Sequence, residues 1–367
     1  MVPASVERVH TTDLLVRRDD HRRCEVRESE FAPLREGQAR FRVDRFALTS
    51  NNVTYALLGD VMGYWGFYPA EDGWGQVPAW GFAEVIESAT GAVAVGDRFY
   101  GYWPMSSHAI LEPVAHGGPV VDDAEHRRAL PAMYNNYLPA SAPDAHTEEL
   151  QSLIRPLFAS AWLIDDFLAA QGFRDAATVL ITSASSKTAA ATAWCLARRA
   201  ERPALVGLTS AANTEFVAGL AGYDRAVAYS DIASADLAGP VMLIDIAGSA
   251  DIRRAVHERF GDGLSWTLGV GGTHMSEISG LAAPQEGGGE SEIFFAPTYL
   301  EQRTAEIGSR ELPEMISGAE SEYLEGVART WPITRASEPD AVRAAWIDQV
   351  DGKRDPAGGT ILSLVRS

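Results

Sequence analysis

RFRVDRFALT alternates apolar and polar residues, FAEVIES repeats the alternation, and clusters of Gly, Pro and Asp separate such runs up to about residue 150. Period-two runs bounded by turn residues predict short strands with one buried face, so this stretch reads as an irregular β domain. The rhythm then changes. DAHTEELQSLIRPLFASAWLIDDFLAAQGF has apolar residues at helical spacing, and beyond about residue 155 apolar runs alternate with helical stretches. ATVLITS precedes TAAATAWCLARRAE and ALVGLTS precedes NTEFVAGLAGY; AVAYSD, PVMLIDIAG and SWTLGVGG supply three more strands, with DIRRAVHERF between the last two. Strands separated by helices of roughly 10 to 15 residues imply right-handed crossovers and a parallel sheet. PQEGGGESEI reads as a glycine-rich surface loop. FFAPTYLEQR follows it, then a helical stretch near PEMISGAESEYLEGVA and a closing helix, turn and strand in AVRAAWIDQVDGKRDPAGGTILSLV.

The chain has 367 residues, beyond the size at which a single core keeps growing, so two domains are expected. An apolar fraction of 46% with 22% charged residues is that of a folded chain and excludes disorder over most of its length. The balance of 31 Lys and Arg against 50 Asp and Glu gives −19, a field that repels phosphodiester backbones and argues against nucleic acid as a partner. Cys24 and Cys195 are the two cysteines, far apart and outside any CxxC, so neither a disulfide framework nor a cysteine zinc site is expected. MVPASVERVHTTDLLVRRDD lacks the apolar stretch of a signal peptide, and no uncharged apolar run reaches about 18 residues. The expectation is a cytoplasmic protein with no membrane partner; a homodimer stays open.

A parallel sheet binds ligands beyond the carboxyl ends of its strands, where helix N-termini offer N–H groups to phosphate. The first strand-to-helix turn reads TSASSKTAAA, without the glycines of G-x-G-x-x-G. Its small residues admit a pyrophosphate, Ser183, Ser185, Ser186 and Thr188 add hydroxyls, and Lys187 adds charge. SSKT is similar to the tail of a P-loop, but that loop's glycines are missing. The plain alternative is a small-residue helix start that binds nothing. The second strand ends in Gly207-Leu208-Thr209-Ser210, where an NAD site carries Asp or Glu for the ribose 2′-hydroxyl. Without that carboxylate a 2′-phosphate is not repelled, and Thr209 and Ser210 offer it hydroxyls. NADPH is therefore the expected cofactor.

WGFAEVIES followed by VAVGDRFYGYWP resembles the glycine-rich turn and G-D-R-V signature of the medium-chain dehydrogenase/reductase superfamily. NNVTYALLGD, YNNYL, SASSKTA, GLTS, VGGTH and FFAP resemble one branch of it, the DUF2855 family, across nearly the whole chain. The resemblance implies an α/β fold: a GroES-like β domain over residues 1–154, a Rossmann-type doubly wound parallel sheet over 155–300, and a return segment over 301–367 completing the first domain. The superfamily's zinc enzymes carry a G-H-E triplet where this chain has Gly81-Phe82-Ala83, and neither cysteine falls at a ligand position. His108, His116, His126, His146, His257 and His274 are scattered without a helical i, i+4 pair, so no metal site is expected.

A zinc-free member polarises its substrate by hydrogen bonding. The resemblance points to Tyr55 as the donor and Asn52 as the residue orienting substrate or nicotinamide, both in a loop, with Tyr64, Tyr134, Asn135 and Tyr137 equally placed by sequence. It also implies Tyr229 at the adenosine end, Gly248 at the dinucleotide crevice, and Val270, Gly271, Thr273 and Phe295 around the nicotinamide. The expected function is an NADPH-dependent, zinc-independent oxidoreductase that reduces a carbonyl or activated alkene of a small organic substrate. A non-redox lyase or isomerase, or a nucleotide-binding protein on the same fold, is the alternative.

Overall fold

A computed structural model describes residues 10–140, 144–237, 239–270, 290–327, 329–355 and 357–365. The chain divides into Met1–Leu153 with Ile333–Ser367, and Ile154–Pro332. The boundary falls inside the helix Ala145–Ala170.

The first unit is built on Ala39–Leu48, which pairs antiparallel with Pro78–Ser88, His108–Leu111 and the returning strand Gly359–Leu362. Arg98–Pro104 extends the sheet on the far side of Pro78–Ser88. Phe41, Val43, Phe46, Ala79, Val85, Tyr102 and Trp103 fill its core. Gly81, at the triplet position, is fixed by strand approach: a Cβ there would lie 2.2 Å from the carbonyl oxygen of Arg45. The NNVTYAL segment, expected as a loop, forms the helix Ser50–Leu57. Asn52 Oδ1 accepts from the Thr49 backbone N–H at 2.7 Å and so ties down the helix start. An Asn three residues after the cap does this work where Glu or Gln is usual, which hid the signal.

The second unit holds six parallel strands in the spatial order Arg225–Ala228, Ala204–Thr209, Thr178–Ile181, Val241–Asp245, Leu264–Val270, Glu290–Phe294. Thr178–Ile181 and Val241–Asp245 are buried throughout, as strands covered on both faces must be. Five of the strands follow the apolar runs. The sixth, Glu290–Phe294, was expected within a surface loop; exposed Glu and Ser at an edge position mask it in sequence. The sheet is thus Rossmann-type, with its order reversing between Thr178–Ile181 and Val241–Asp245.

The return to the first unit begins at Ile333 rather than at 301. Helix Glu311–Val327 stays with the second unit because Glu320 pairs with Arg155 at 2.9 Å and Tyr323 packs on Phe158 and Trp194. No helix among the described residues is long and apolar enough to cross a membrane.

His108 makes the first unit acid-sensitive. Burial, then the charges of Arg40 and Arg42, pull its pKa down to about 4 from 6.5, against a weaker opposite pull from Asp44. The folded chain therefore takes up this proton less readily than the unfolded chain, so the contribution is intact above about pH 6.5 and is lost as pH falls toward about 4. His108→Gln should flatten the dependence of stability on pH across that window in urea unfolding at stepped pH. An unchanged slope would place the sensitivity elsewhere.

Candidate functional site

In the second unit, the turn after Thr178–Ile181 is held from three sides. Thr182, fully buried, donates to Asp245 Oδ1 at 2.8 Å and accepts from the N–H groups of Ile246 and Ala247 at 2.8 and 2.9 Å. Asp245 Oδ1 also accepts from the Gly248 N–H at 3.1 Å, and Asp245 Oδ2 from Arg253 Nη1 at 2.8 Å. Both charged partners are buried. These bonds join the two loops that flank the point where the strand order reverses, and fix Gly248 with φ of +68°.

Ser183 is left-handed at φ +52°, a conformation that ordinarily selects glycine, and its N–H donates to Tyr229 Oη at 2.9 Å. Ser185 is buried, and its Oγ accepts from Asn213 Nδ2 at 3.2 Å and from Thr209 Oγ1 at 3.5 Å. Ser186 caps the helix Lys187–Ala197, accepting from the Ala189 N–H at 3.3 Å. Lys187 and Thr188 begin that helix, and Lys187 Nζ lies 4.7 Å from the centroid of the Trp331 ring. Gly207 leaves room for the turn, since a Cβ there would lie 2.8 Å from Ala184 Cβ.

The expected cofactor residues Ser183, Ser185, Ser186, Lys187, Thr188, Thr209 and Tyr229 thus share one carboxyl edge, with Gly248 on the adjoining loop. Thr209 is buried and turned toward Ser185, whereas Ser210 is exposed. Val270 pairs with Phe294, and Phe295, over half exposed, follows it. Gly271 and Thr273 lie outside the described residues. The sequence reading missed Thr182, Asp245, Arg253 and Asn213. An acid and a hydroxyl closing two otherwise apolar strands were the available signal.

In the first unit, Tyr55 and Asn52 share the helix Ser50–Leu57. Tyr55 is buried; its Oη accepts from Trp80 Nε1 at 3.3 Å, and burial pushes its pKa up, so the phenol is a proton-bearing group at neutral pH. Asn52 is equally buried, its amide spent on the helix start and on the Pro78 carbonyl at 2.9 Å. Tyr55 packs against Tyr64 and Tyr102 at centroid separations of 4.8 and 5.3 Å. Tyr64 and Tyr134 share a hydrogen bond of 3.3 Å. Tyr137 and Asn135 belong to a different network, around the buried Arg127, which pairs with Asp122 at 2.8 Å and donates to Tyr137 Oη at 2.8 Å. Among the described residues no group of three or more His, Cys, Asp or Glu is placed to hold a metal ion.

The family described as "Protein of unknown function (DUF2855)" matches residues 46–355. The chain belongs to the DUF2855 family. No curated protein matches it. Among solved structures the DUF2855 chain is similar to CurA from Vibrio vulnificus in complex with NADPH, with TM-score 0.60 and 11% identity over 94% of this chain and 95% of that one. A putative NADPH:quinone reductase from Bacillus thuringiensis matches with TM-score 0.56 and 14% identity over 97% and 100%. CurK enoyl reductase matches with TM-score 0.57 and 12% identity over 96% and 99%. The DUF2855 chain therefore has the fold of the medium-chain dehydrogenases/reductases.

Arg253→Met removes the partner of a carboxylate with no solvent contact. Breaking such a buried pair costs about 3–5 kcal/mol, so urea unfolding should show a loss of that order. A change under about 1 kcal/mol, the scale of an exposed pair, would mean that Thr182 and the Gly248 N–H satisfy Asp245 unaided.

Proposed function

We propose that this chain is an NADPH-dependent, zinc-independent reductase of a carbonyl or activated alkene in a small organic substrate. The observation that carries the reading is the small-residue turn Ser183–Ser186 opening a helix at the reversal point of a Rossmann-type sheet. The donor set suits a pyrophosphate: first-turn N–H groups at the positive end of an 11-residue helix whose first residue is Lys187. No carboxylate closes the second strand, so a 2′-phosphate is tolerated there, with Ser210 as its exposed hydroxyl. The similar structures, CurA in complex with NADPH, a putative NADPH:quinone reductase and CurK enoyl reductase, support the same class.

NADPH, which the Ser183–Thr188 turn would hold by its phosphates, would supply a hydride to the substrate carbon. Tyr55 donates a hydrogen bond to the substrate oxygen as negative charge develops there, a role its buried, protonated phenol suits. Asn52 acts through Tyr55, fixing the start of its helix.

One set of contacts favours a second reading, a nucleotide-binding protein without redox chemistry. Tyr229 occupies the Ser183 N–H, and Thr209 turns toward Ser185, so the edge is partly satisfied from within. Titration with NADPH and NADH, followed by nicotinamide fluorescence, tests the cofactor assignment. NADPH should bind more tightly; equal affinity or a preference for NADH would refute it. With a panel of enones, quinones and aldehydes, Tyr55→Phe should slow NADPH oxidation by roughly 10²–10³ and leave NADPH affinity intact. Tight NADPH binding without oxidation by any of the panel would favour the second reading.

A further inference from the structure

Tyr102, on the strand Arg98–Pro104, is fully buried, and its hydroxyl has no hydrogen-bond partner among the described residues. Its ring packs against Tyr134, Trp80, Tyr55 and Phe67 at centroid separations of 4.7, 5.0, 5.3 and 5.4 Å. The phenols around it are engaged. Tyr68 donates to the Tyr102 carbonyl at 2.6 Å, Tyr64 and Tyr134 bond each other, and Tyr55 accepts from Trp80. Burial raises the Tyr102 pKa well above the ordinary range, and negative charge on Tyr55, Tyr134 or Tyr64 would raise it further. The group is therefore a donor at any neutral pH, and it lies among phenols close enough to feel one another's charge.

An unpaired buried hydroxyl is costly and rare, and the buried polar cluster around Arg127 in the same unit engages both its phenols, Tyr68 and Tyr137. We propose that Tyr102 is a second donor to the substrate oxygen, so that Tyr55 and Tyr102 together hold an oxygen that gains negative charge, as a carbonyl does on becoming an alkoxide or enolate. As a hydride from the proposed NADPH adds to the substrate and the carbonyl π pair moves onto oxygen, both phenols share the charge through hydrogen bonds and keep their protons, and water protonates the product. Trp80 and Tyr134 are the half-buried members of the cluster and form its solvent edge. The proposal rests on the assignment of substrate binding to Tyr55.

The test uses the full-length protein without NADPH, and 4-nitrophenol as probe, because its anion presents one charged oxygen on a planar ring and absorbs differently from its neutral form. The wild-type chain should bind the anion. Tyr102→Phe should weaken that binding about tenfold, the scale of one charge-assisted hydrogen bond, while Tm stays level or rises, since the ring remains and an unpaired hydroxyl is gone. Undiminished binding by Tyr102→Phe overturns the proposal, as does failure of the wild-type chain to bind the anion. A fall in Tm along with lost binding also overturns it, by giving the hydroxyl a packing role. The probe titration involves no cofactor, so the NADPH titration can fail while this one succeeds, and the two failures are told apart.

Discussion

Asp245 is a carboxylate without solvent, and the geometry of the carboxyl edge of the parallel sheet depends on how it is satisfied. Thr182, Gly248 and Arg253 surround it, and Thr182 in turn receives the N–H groups of Ile246 and Ala247. One buried acid therefore locks the two loops at the reversal point to each other. A charge in this setting is costly unless it is paired and hydrogen-bonded, and the same bonds tie the residue before the Ser183–Lys187 turn to the loop that carries Gly248. Ser183 shows the same logic on a smaller scale: a left-handed serine stands where a glycine would be unstrained, and the Tyr229 phenol holds its N–H.

The first unit solves a different problem, that of holding many phenols in an apolar core. Tyr68 and Tyr137 are tied into Arg127 and the Tyr102 carbonyl, which makes them part of the scaffold. Tyr55, Tyr64, Tyr102 and Tyr134 form a second group with fewer internal bonds. Donors left under-satisfied inside a rigid frame need little reorganisation to meet a developing charge. The two groups look identical in sequence, and only the hydrogen-bond accounting separates them.

Much of the fold was legible because it rests on periodicity. The apolar runs at 178–181, 204–209 and 241–245 alternate with helical stretches, which implied a parallel sheet, and the alternation of RFRVDRFALT marked the central strand of the β unit. The misses share a physical cause, in that tertiary position overrode local pattern. Glu290–Phe294 is an edge strand whose exposed residues look like loop, and the helix Ser50–Leu57 depends on an Asn in the capping role. At the site, residue type located the turn, but the direction of each hydroxyl did not follow from it. Thr209 faces inward to Ser185, and Asn52 serves its own helix, because each finds a nearer partner within the fold.

If the chain binds NADPH as proposed, the phosphates lie against the edge formed by Ser183–Thr188 and Ile246–Ser249. Hydrogen–deuterium exchange of the full-length protein with and without NADPH reads those amides directly. Adding NADPH should slow exchange at 183–188 and 246–249, with a smaller effect from NADH at equal concentration. Unchanged exchange across both segments at saturating NADPH, or protection confined to other parts of the chain, would contradict it.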